Sequence, residues 1–242
     1  MIFRIVLFTI IYIIFLCIIH IVPSRFHSSL IGYVNYVGMC IIGFNSMKCT
    51  NKHVIEQLYQ SDEPVIIVCN HISLLDGFIL SSVTNGMVSY MFERTLVEKI
   101  PGFKYILEKY MKALVKQPKD TTKQIKQHLF SRQKNDPILC LFADAMNPVP
   151  IDKNIAPFKT GAFVHKVKVL PIIIKYKNYK VDPTFRWFNN EHFFWGFSKI
   201  LFDNNIDIVV NIMDPITPEE NWSINNYKDH VYELMNRKYE LI

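Results

Sequence analysis

The chain has 242 residues, half of them hydrophobic, and a formal net charge of +6 at neutral pH. This length suits one sizeable domain with a short appendage. The five cysteines form no C-x-x-C pair and leave an odd number, so neither a disulfide framework nor a zinc site is indicated. We therefore expect no metal in this protein.

The positive charge is concentrated between Glu98 and Lys134, where ten Lys or Arg residues stand against three acidic ones. A solvated helical surface explains this excess. A surface that attracts anionic lipid headgroups, or the phosphates of a nucleotide-bearing donor, explains it equally well. Nucleic acid is not an expected partner, because the sequence contains no recognition motif for it.

Residues 5–22 read IVLFTIIYIIFLCIIHIV and carry no formal charge. A helix of this length spans about 27 Å, close to the hydrocarbon thickness of a bilayer. A cleaved signal peptide is the competing interpretation, but the run is long and its exit lacks an Ala-x-Ala-like site. We predict a transmembrane helix within a membrane anchor at residues 1–28. The protein would then be single-pass or monotopic in a membrane, such as the endoplasmic reticulum or another internal membrane of a eukaryote.

Residues 29–45 are again apolar but are interrupted by Gly32, Gly38 and Gly43. This pattern suits a helix that lies on the bilayer surface or dips into one leaflet. Residues 29–60 are therefore predicted to form a membrane-associated helical segment and a connector. Residues 61–242 are predicted to form the main domain.

In the main domain, short apolar runs alternate with helical patterns. Strands are predicted at residues 64–69, 87–92, 113–115, 137–142, 168–176 and 206–213, and helices at residues 75–83, 104–111, 121–132 and 227–239. The run at 64–69 is continuously apolar, as expected for a strand buried on both faces. The alternation predicts an α/β fold with a mainly parallel sheet flanked by helices.

The first buried strand leads directly into Asn70-His71-Ile72-Ser73-Leu74-Leu75-Asp76. A strand followed by a helix places His71 at the carboxyl end of the sheet, where α/β folds usually bind ligands. Asp76 would lie in the first turn of the helix and reach back to the imidazole. A carboxylate in that position fixes the tautomer of a histidine that acts as general base. A structural histidine with a helix-capping aspartate is the plainer alternative.

An Asn-His-x4-Asp segment after an apolar strand resembles the glycerolipid acyltransferase family, which includes the lysophosphatidic acid acyltransferases. Later blocks follow in the order of that family. FADAM at 142–146 stands where the family has Phe-Pro-Glu-Gly-Thr. PFKTGAF at 157–163 is similar to the F-K-x-G-A-F segment of the lysophosphatidylcholine-acyltransferase-like branch, and VLPII at 169–173 matches a V-x-P-hydrophobic block.

This resemblance implies a mechanism and a set of site residues. His71, oriented by Asp76, would deprotonate the hydroxyl of a lysophospholipid or glycerol 3-phosphate, and the alkoxide would attack acyl-CoA, a co-substrate, with no further cofactor. Backbone N–H groups near the start of the helix are expected to stabilise the oxyanion. The residues expected to bind substrate are Asn70, Lys116, Asp144, Lys159 and Gly161.

Two departures from the family pattern concern recognition of the acceptor. The Glu-Gly-Thr of the family is replaced by Asp144-Ala145-Met146, and the arginine that usually ends its second block is replaced by Lys116. A catalytically inactive relative that binds lipid or acts as a scaffold is therefore the alternative function. A serine hydrolase is disfavoured, because no G-x-S-x-G segment is present. The aromatic residues between 185 and 197 suit either an ordinary core or a lipid-facing surface.

Overall fold

The computed structural model describes residues 2–73, 75–98, 103–117, 119–144, 155–179 and 206–242. Seven strands in these ranges form one sheet: β1 Phe44–Thr50, β2 Val65–Cys69, β3 Val88–Phe92, β4 Leu114–Val115, β5 Ile138–Phe142, β6 Lys168–Lys177 and β7 Ile206–Ile212. Their order is β1-β7-β6-β2-β5-β3-β4. The five strands from β6 to β4 are parallel, β7 is antiparallel to β6, and β1 is parallel to β7. The predicted α/β fold with a mainly parallel sheet is confirmed.

Eight α-helices accompany the sheet in the described ranges: α1 Ile2–Ile18, α2 His27–Ile42, α3 Lys52–Tyr59, α4 Asp76–Val83, α5 Arg94–Val97, α6 Phe103–Tyr110, α7 Thr121–Ser131 and α8 Ile224–Leu241. Single 3-10 turns occur at Ser24–Phe26 and Thr160–Ala162. Helices α2, α3 and α4 cover one face of the sheet, and α7 and α8 cover the other.

The central strand β2 shows why the layers form. All five of its residues are buried, and their side chains alternate between the two faces. Ile67 packs with the cluster under α2 to α4, whereas Ile66 and Val68 pack with the cluster under α7 and α8. Apolar side chains on both faces therefore bind helices on both sides.

The N-terminal segment folds as a helical hairpin in which α1 packs on α2 and α2 packs on α4. Two glycines permit the close approach of α2 to the turn that follows α4. A Cβ on Gly32 would lie 2.5 Å from Asn85 Cα, and a Cβ on Gly86, whose φ is +72°, would lie 1.9 Å from the carbonyl oxygen of Ser28. The hairpin is therefore fixed against the layered core.

The predicted transmembrane helix over residues 5–22 is not supported. Helix α1 ends at Ile18, and the chain then turns and returns as α2. Within the described ranges, no helix is both long enough and apolar enough to cross a bilayer.

The segment 29–60 contributes more to the layered fold than its sequence suggests. Strand β1 and helix α3 both lie in it, and β1 pairs with β7 from Phe44↔Ile206 to Thr50↔Asn211. The division into residues 1–28, 29–60 and 61–242 remains a prediction. The aromatic stretch between 185 and 197 lies outside the described residues.

Candidate active site

The candidate site lies where β2 and its parallel neighbour β5 end. Cys69, the last residue of β2, is in register with Phe142, the last residue of β5. His71 and Asp144 each follow two residues later, and the backbone N–H of His71 donates to Asp144 Oδ2 at 2.8 Å. The sheet thus brings together two residues that are 73 positions apart in the sequence.

His71 and Asp76 form the predicted pair. The distance from His71 Nδ1 to Asp76 Oδ2 is 2.8 Å, the carboxylate is fully buried, and the imidazole is 14% exposed. Asp76 is the first residue of α4, so the helix start directs its carboxylate back towards the imidazole. A carboxylate accepts hydrogen bonds, so Nδ1 carries the hydrogen and Nε2 keeps its lone pair. This is the tautomer that a general base requires.

Asp76 accepts three further hydrogen bonds. Its Oδ2 accepts from the backbone N–H groups of Ile72 at 2.6 Å and Ser73 at 2.8 Å, and its Oδ1 accepts from the Tyr176 hydroxyl at 2.6 Å. Burial, with the Asp76 carboxylate as the next cause, raises the pKa of Tyr176 well above its usual value, so its hydroxyl remains a donor. These contacts fix the carboxylate in one orientation towards His71.

Sequence reasoning missed Tyr176. It lies near the end of β6, 100 residues after Asp76, and reaches the site because β6 is the other parallel neighbour of β2. The available signal was a tyrosine between Lys175 and Lys177 at the end of a strand, which is weak because tyrosine is common in strands.

Asn70 ties the site to β6. Its side-chain Nδ2 donates to the carbonyl of Ile174 at 2.9 Å, and its Oδ1 accepts from the Ile174 N–H at 2.8 Å. The residue is 2% exposed. The amide of Asn70 therefore extends the hydrogen bonding between β2 and β6 by one step and fixes the backbone from which His71 projects. A contact between Asn70 and substrate remains a prediction.

Asp144 occupies an unusual environment. It is 3% exposed, and while Oδ2 accepts from His71, Oδ1 is buried without a hydrogen-bond partner among the described residues. Burial raises the pKa of the Asp144 carboxyl to about 7, and the hydrogen bond from the His71 N–H opposes this shift. Nearby, the Phe142 ring stacks on the His71 imidazole with 4.0 Å between centroids. Asp144 and Phe142 therefore hold the loop and the ring of His71.

Five backbone N–H groups near the start of α4, where oxyanion donors are expected, already donate to acceptors within the protein. Besides the N–H groups of His71, Ile72 and Ser73, the Leu75 N–H donates to Ser73 Oγ at 3.3 Å and the Asp76 N–H donates to the Ser73 carbonyl at 3.1 Å. These five groups therefore have acceptors within the protein, and stabilisation of the oxyanion by backbone N–H groups near the helix start remains a prediction. Ser73 is fully buried, and its hydroxyl accepts a hydrogen bond within the turn.

The other three residues predicted to bind substrate lie in different parts of the fold. Lys116 follows the outermost strand β4, three strand spacings or roughly 14 Å from β2, and its Nζ lies 2.5 Å from Glu93 Oε1. Lys159 is exposed, and its backbone N–H donates to the Ala143 carbonyl at 2.8 Å, which places it beside the end of β5. Gly161 is exposed, and a Cβ built on it would meet nothing within 4 Å.

No three His, Cys, Asp or Glu side chains within the described ranges converge in a way that could hold a metal ion. The His71–Asp76 pair can supply proton transfer by an oriented imidazole. A metal-independent reaction remains a prediction.

Comparison with known proteins identifies the class. The Acyltransferase family model matches residues 46–175, more than half of the chain. The chain therefore belongs to the Acyltransferase family, and the resemblance seen in its motifs is confirmed at that level.

A solved structure with a similar fold is the 1-acyl-sn-glycerophosphate (LPA) acyltransferase PlsC from Thermotoga maritima. The two chains are 19% identical, the TM-score is 0.60, and the match covers 87% of this chain and 77% of that one. At this identity the similarity concerns the fold. No curated protein matches the sequence.

The pKa of Asp144 predicts a pH-dependent stability. Because the folded-state pKa is raised from 3.8 to about 7, the stabilising effect of the bound proton is fully present below pH 3.8 and is lost as the pH rises through 7. An asparagine side chain does not titrate, so Asp144→Asn does not lose stability as the pH rises. We expect its unfolding free energy, relative to wild type, to rise by about 2–3 kcal/mol between pH 5 and pH 8, measured by urea denaturation.

The exposed Asp214 provides the matched control, since Asp214→Asn makes the same exchange outside the site. The difference in unfolding free energy between Asp214→Asn and wild type should stay nearly constant from pH 5 to pH 8. A constant difference for Asp144→Asn as well would contradict the raised pKa.

Proposed function

We propose that this protein transfers a fatty acyl group from acyl-CoA to the hydroxyl of a lysophospholipid or of glycerol 3-phosphate. The observation that carries the proposal is the His71–Asp76 pair, 2.8 Å apart, with Nε2 of His71 left for the substrate. Membership in the Acyltransferase family supports acyl transfer as the reaction class. The similar fold of the Thermotoga maritima LPA acyltransferase supports a glycerolipid acceptor.

In the proposed reaction, Nε2 of His71 takes the proton of the acceptor hydroxyl as its oxygen attacks the thioester carbonyl. The tetrahedral intermediate then expels the CoA thiolate, which recovers the proton from His71. Asp76 stabilises the imidazolium formed in between, and Tyr176 holds Asp76 in place. No acyl-enzyme forms on Ser73, because its hydroxyl is buried and accepts from Leu75.

The anionic part of the acceptor requires a cation near His71. Of the two predicted lysines, Lys159 suits this role better, because its backbone is bonded to Ala143, the residue before Asp144. Lys116 is farther away and is paired with Glu93, so it would have to exchange that partner for a phosphate. Its single charge would also bind a phosphate less specifically than the bidentate arginine of the family pattern.

We further propose that the hairpin binds one face of a membrane. The outer side of α1 and its end expose a continuous apolar stripe: Phe3, Val6, Ile10, Ile13, Ile14, Ile18 and Ile21. Their exposure ranges from 41% for Ile18 to 84% for Ile21. An amphipathic helix with such a stripe inserts it at the boundary between headgroups and acyl chains. A membrane-bound acceptor would then be delivered at the surface where the enzyme resides.

The catalytic proposal is tested with purified protein in detergent, a panel of lysophospholipids and glycerol 3-phosphate, and radiolabelled acyl-CoA. We expect one acceptor to be acylated and His71→Ala to lower kcat by about 10²- to 10⁴-fold, the range for loss of a general base. His53→Ala, an exposed histidine on α3, should retain wild-type activity. If no acceptor is acylated, or if His71→Ala is fully active, the protein is instead a lipid-binding or scaffolding member of the family.

The membrane proposal predicts that Ile10→Asn and Ile14→Asn together weaken binding to phosphatidylcholine vesicles. Each isoleucine contributes about 1.5–3 kcal/mol when fully buried, so a loss of at least about tenfold is expected in flotation assays. Phe130→Ser is the control, since Phe130 is 57% exposed but lies on α7 across the sheet. Equal binding by the double variant and wild type would rule out insertion of this stripe.

A further inference from the structure

A second surface lies where the end of α1 meets α6. Tyr110, at the end of α6, packs against Phe15, Ile19 and Ile31 of the hairpin. Its hydroxyl is hydrogen-bonded to His20 Nδ1. These contacts join α6 rigidly to the end of the apolar stripe.

Around this junction, aromatic rings and cations lie together at the surface. Lys109 Nζ lies 4.8 Å from the centroid of the Tyr105 ring and 5.2 Å from that of the Tyr110 ring. Across the junction, the Arg25 guanidinium lies 4.8 Å from the Phe26 centroid. Tyr105 is 52% exposed and Phe26 is 48% exposed. We call this surface the collar and define it as His20, Arg25, Phe26, Tyr105 and Lys109, with the buried Tyr110 beneath them.

The charge of the collar and its margin is positive. Arg25 and Lys109 belong to the collar, and Lys104, one turn earlier on α6, adds a third cation. Glu108 is the acidic residue of α6, and its carboxylate lies 3.9 Å from Lys104. Three cations against one carboxylate leave an excess of two positive charges, with the histidines counted as neutral.

We propose that the collar binds the headgroups of anionic phospholipids and so makes membrane binding selective for negatively charged bilayers. This inference rests on the membrane part of the proposed function. The collar continues the apolar stripe, because Ile18 and Ile21 precede Arg25 and are both exposed. When the stripe is inserted, the rings and cations of the collar lie at the level of the headgroups.

The chemistry of the collar fits that position. Amphipathic aromatic rings prefer the membrane–water interface, and cations beside them are attracted to anionic lipids. Each Lys or Arg close to such a surface contributes about 1 kcal/mol at physiological ionic strength. The contribution falls off within a Debye length, which is why proximity to the inserted stripe matters.

The lysines of α7 provide a matched contrast. Lys123 and Lys126 are exposed, as Lys109 is, but α7 packs on the opposite face of the sheet from the hairpin. A surface on that side is separated from the apolar stripe by the whole sheet. If general positive charge drove membrane binding, both sets of lysines would contribute. If the collar drives binding, its cations contribute and the lysines of α7 do not.

The test measures binding of the full chain to phosphatidylcholine vesicles with and without phosphatidylglycerol, at low and high salt. Wild type should bind the anionic vesicles more tightly, and high salt should remove the preference. Arg25→Gln with Lys109→Gln should weaken binding to anionic vesicles by about 10- to 30-fold, as expected for two contributions of this size. Binding to pure phosphatidylcholine should change less than about twofold, because the stripe is intact. Lys123→Gln with Lys126→Gln should behave as wild type does.

Equal binding of wild type to both vesicle types, or an equal loss in the α7 variant, would overturn the collar proposal and leave the membrane proposal standing. Failure of wild type to bind either vesicle would overturn both. Acyl transfer in detergent is scored separately, so neither result depends on it. Tyr105→Ala is a second variant, and it should weaken binding to both vesicle types because it removes an interfacial ring.

Discussion

The buried carboxylate of Asp76 is the contact on which the site depends. It accepts four hydrogen bonds, from the His71 imidazole, two backbone N–H groups and the Tyr176 hydroxyl, and solvent does not reach it. A buried charge is stable only when such partners are present. Removing it would leave several buried donors without an acceptor, at about 1–3 kcal/mol each. The same four bonds shape the loop, select the tautomer of His71 and join α4 to β6.

The sheet supplies the frame for this carboxylate from both neighbours of β2. On one side, Asn70 bonds the Ile174 backbone and Tyr176 reaches Asp76, so β6 holds both ends of the motif. On the other side, β5 ends in Phe142, which stacks on His71, and the following loop carries Asp144, which accepts from the His71 N–H. Asp144, which is shorter than the family's glutamate, therefore still contacts the loop that carries His71. This explains how the pair can stay ordered although the surrounding block has changed.

The features that could be predicted from the sequence depend on residues close together in the chain. The central strands are apolar runs, which local patterns reveal. His71 and Asp76 are five residues apart, so a strand followed by a helix was enough to predict their contact. Tyr176 and the pairing of Lys116 with Glu93 depend on strand order, which no local pattern encodes. Strand β1 reads FNSMKCT, in which only Met47 and Cys49 alternate with polar residues, a weaker signal than the apolar runs of the central strands. The transmembrane prediction is not supported because α1 ends at Ile18, and a count of apolar residues does not show where a helix ends.

A double-mutant cycle tests whether Asp76 acts through His71. Initial rates of acyl transfer are compared for wild type, His71→Ala, Asp76→Asn and the double variant, with folding of each checked by thermal denaturation. If Asp76 only orients and stabilises His71, its loss has no further effect once the imidazole is gone. We therefore expect the double variant to be about as active as His71→Ala alone. Losses that multiply in the double variant would show that the two residues act independently, and would contradict a role of Asp76 through His71.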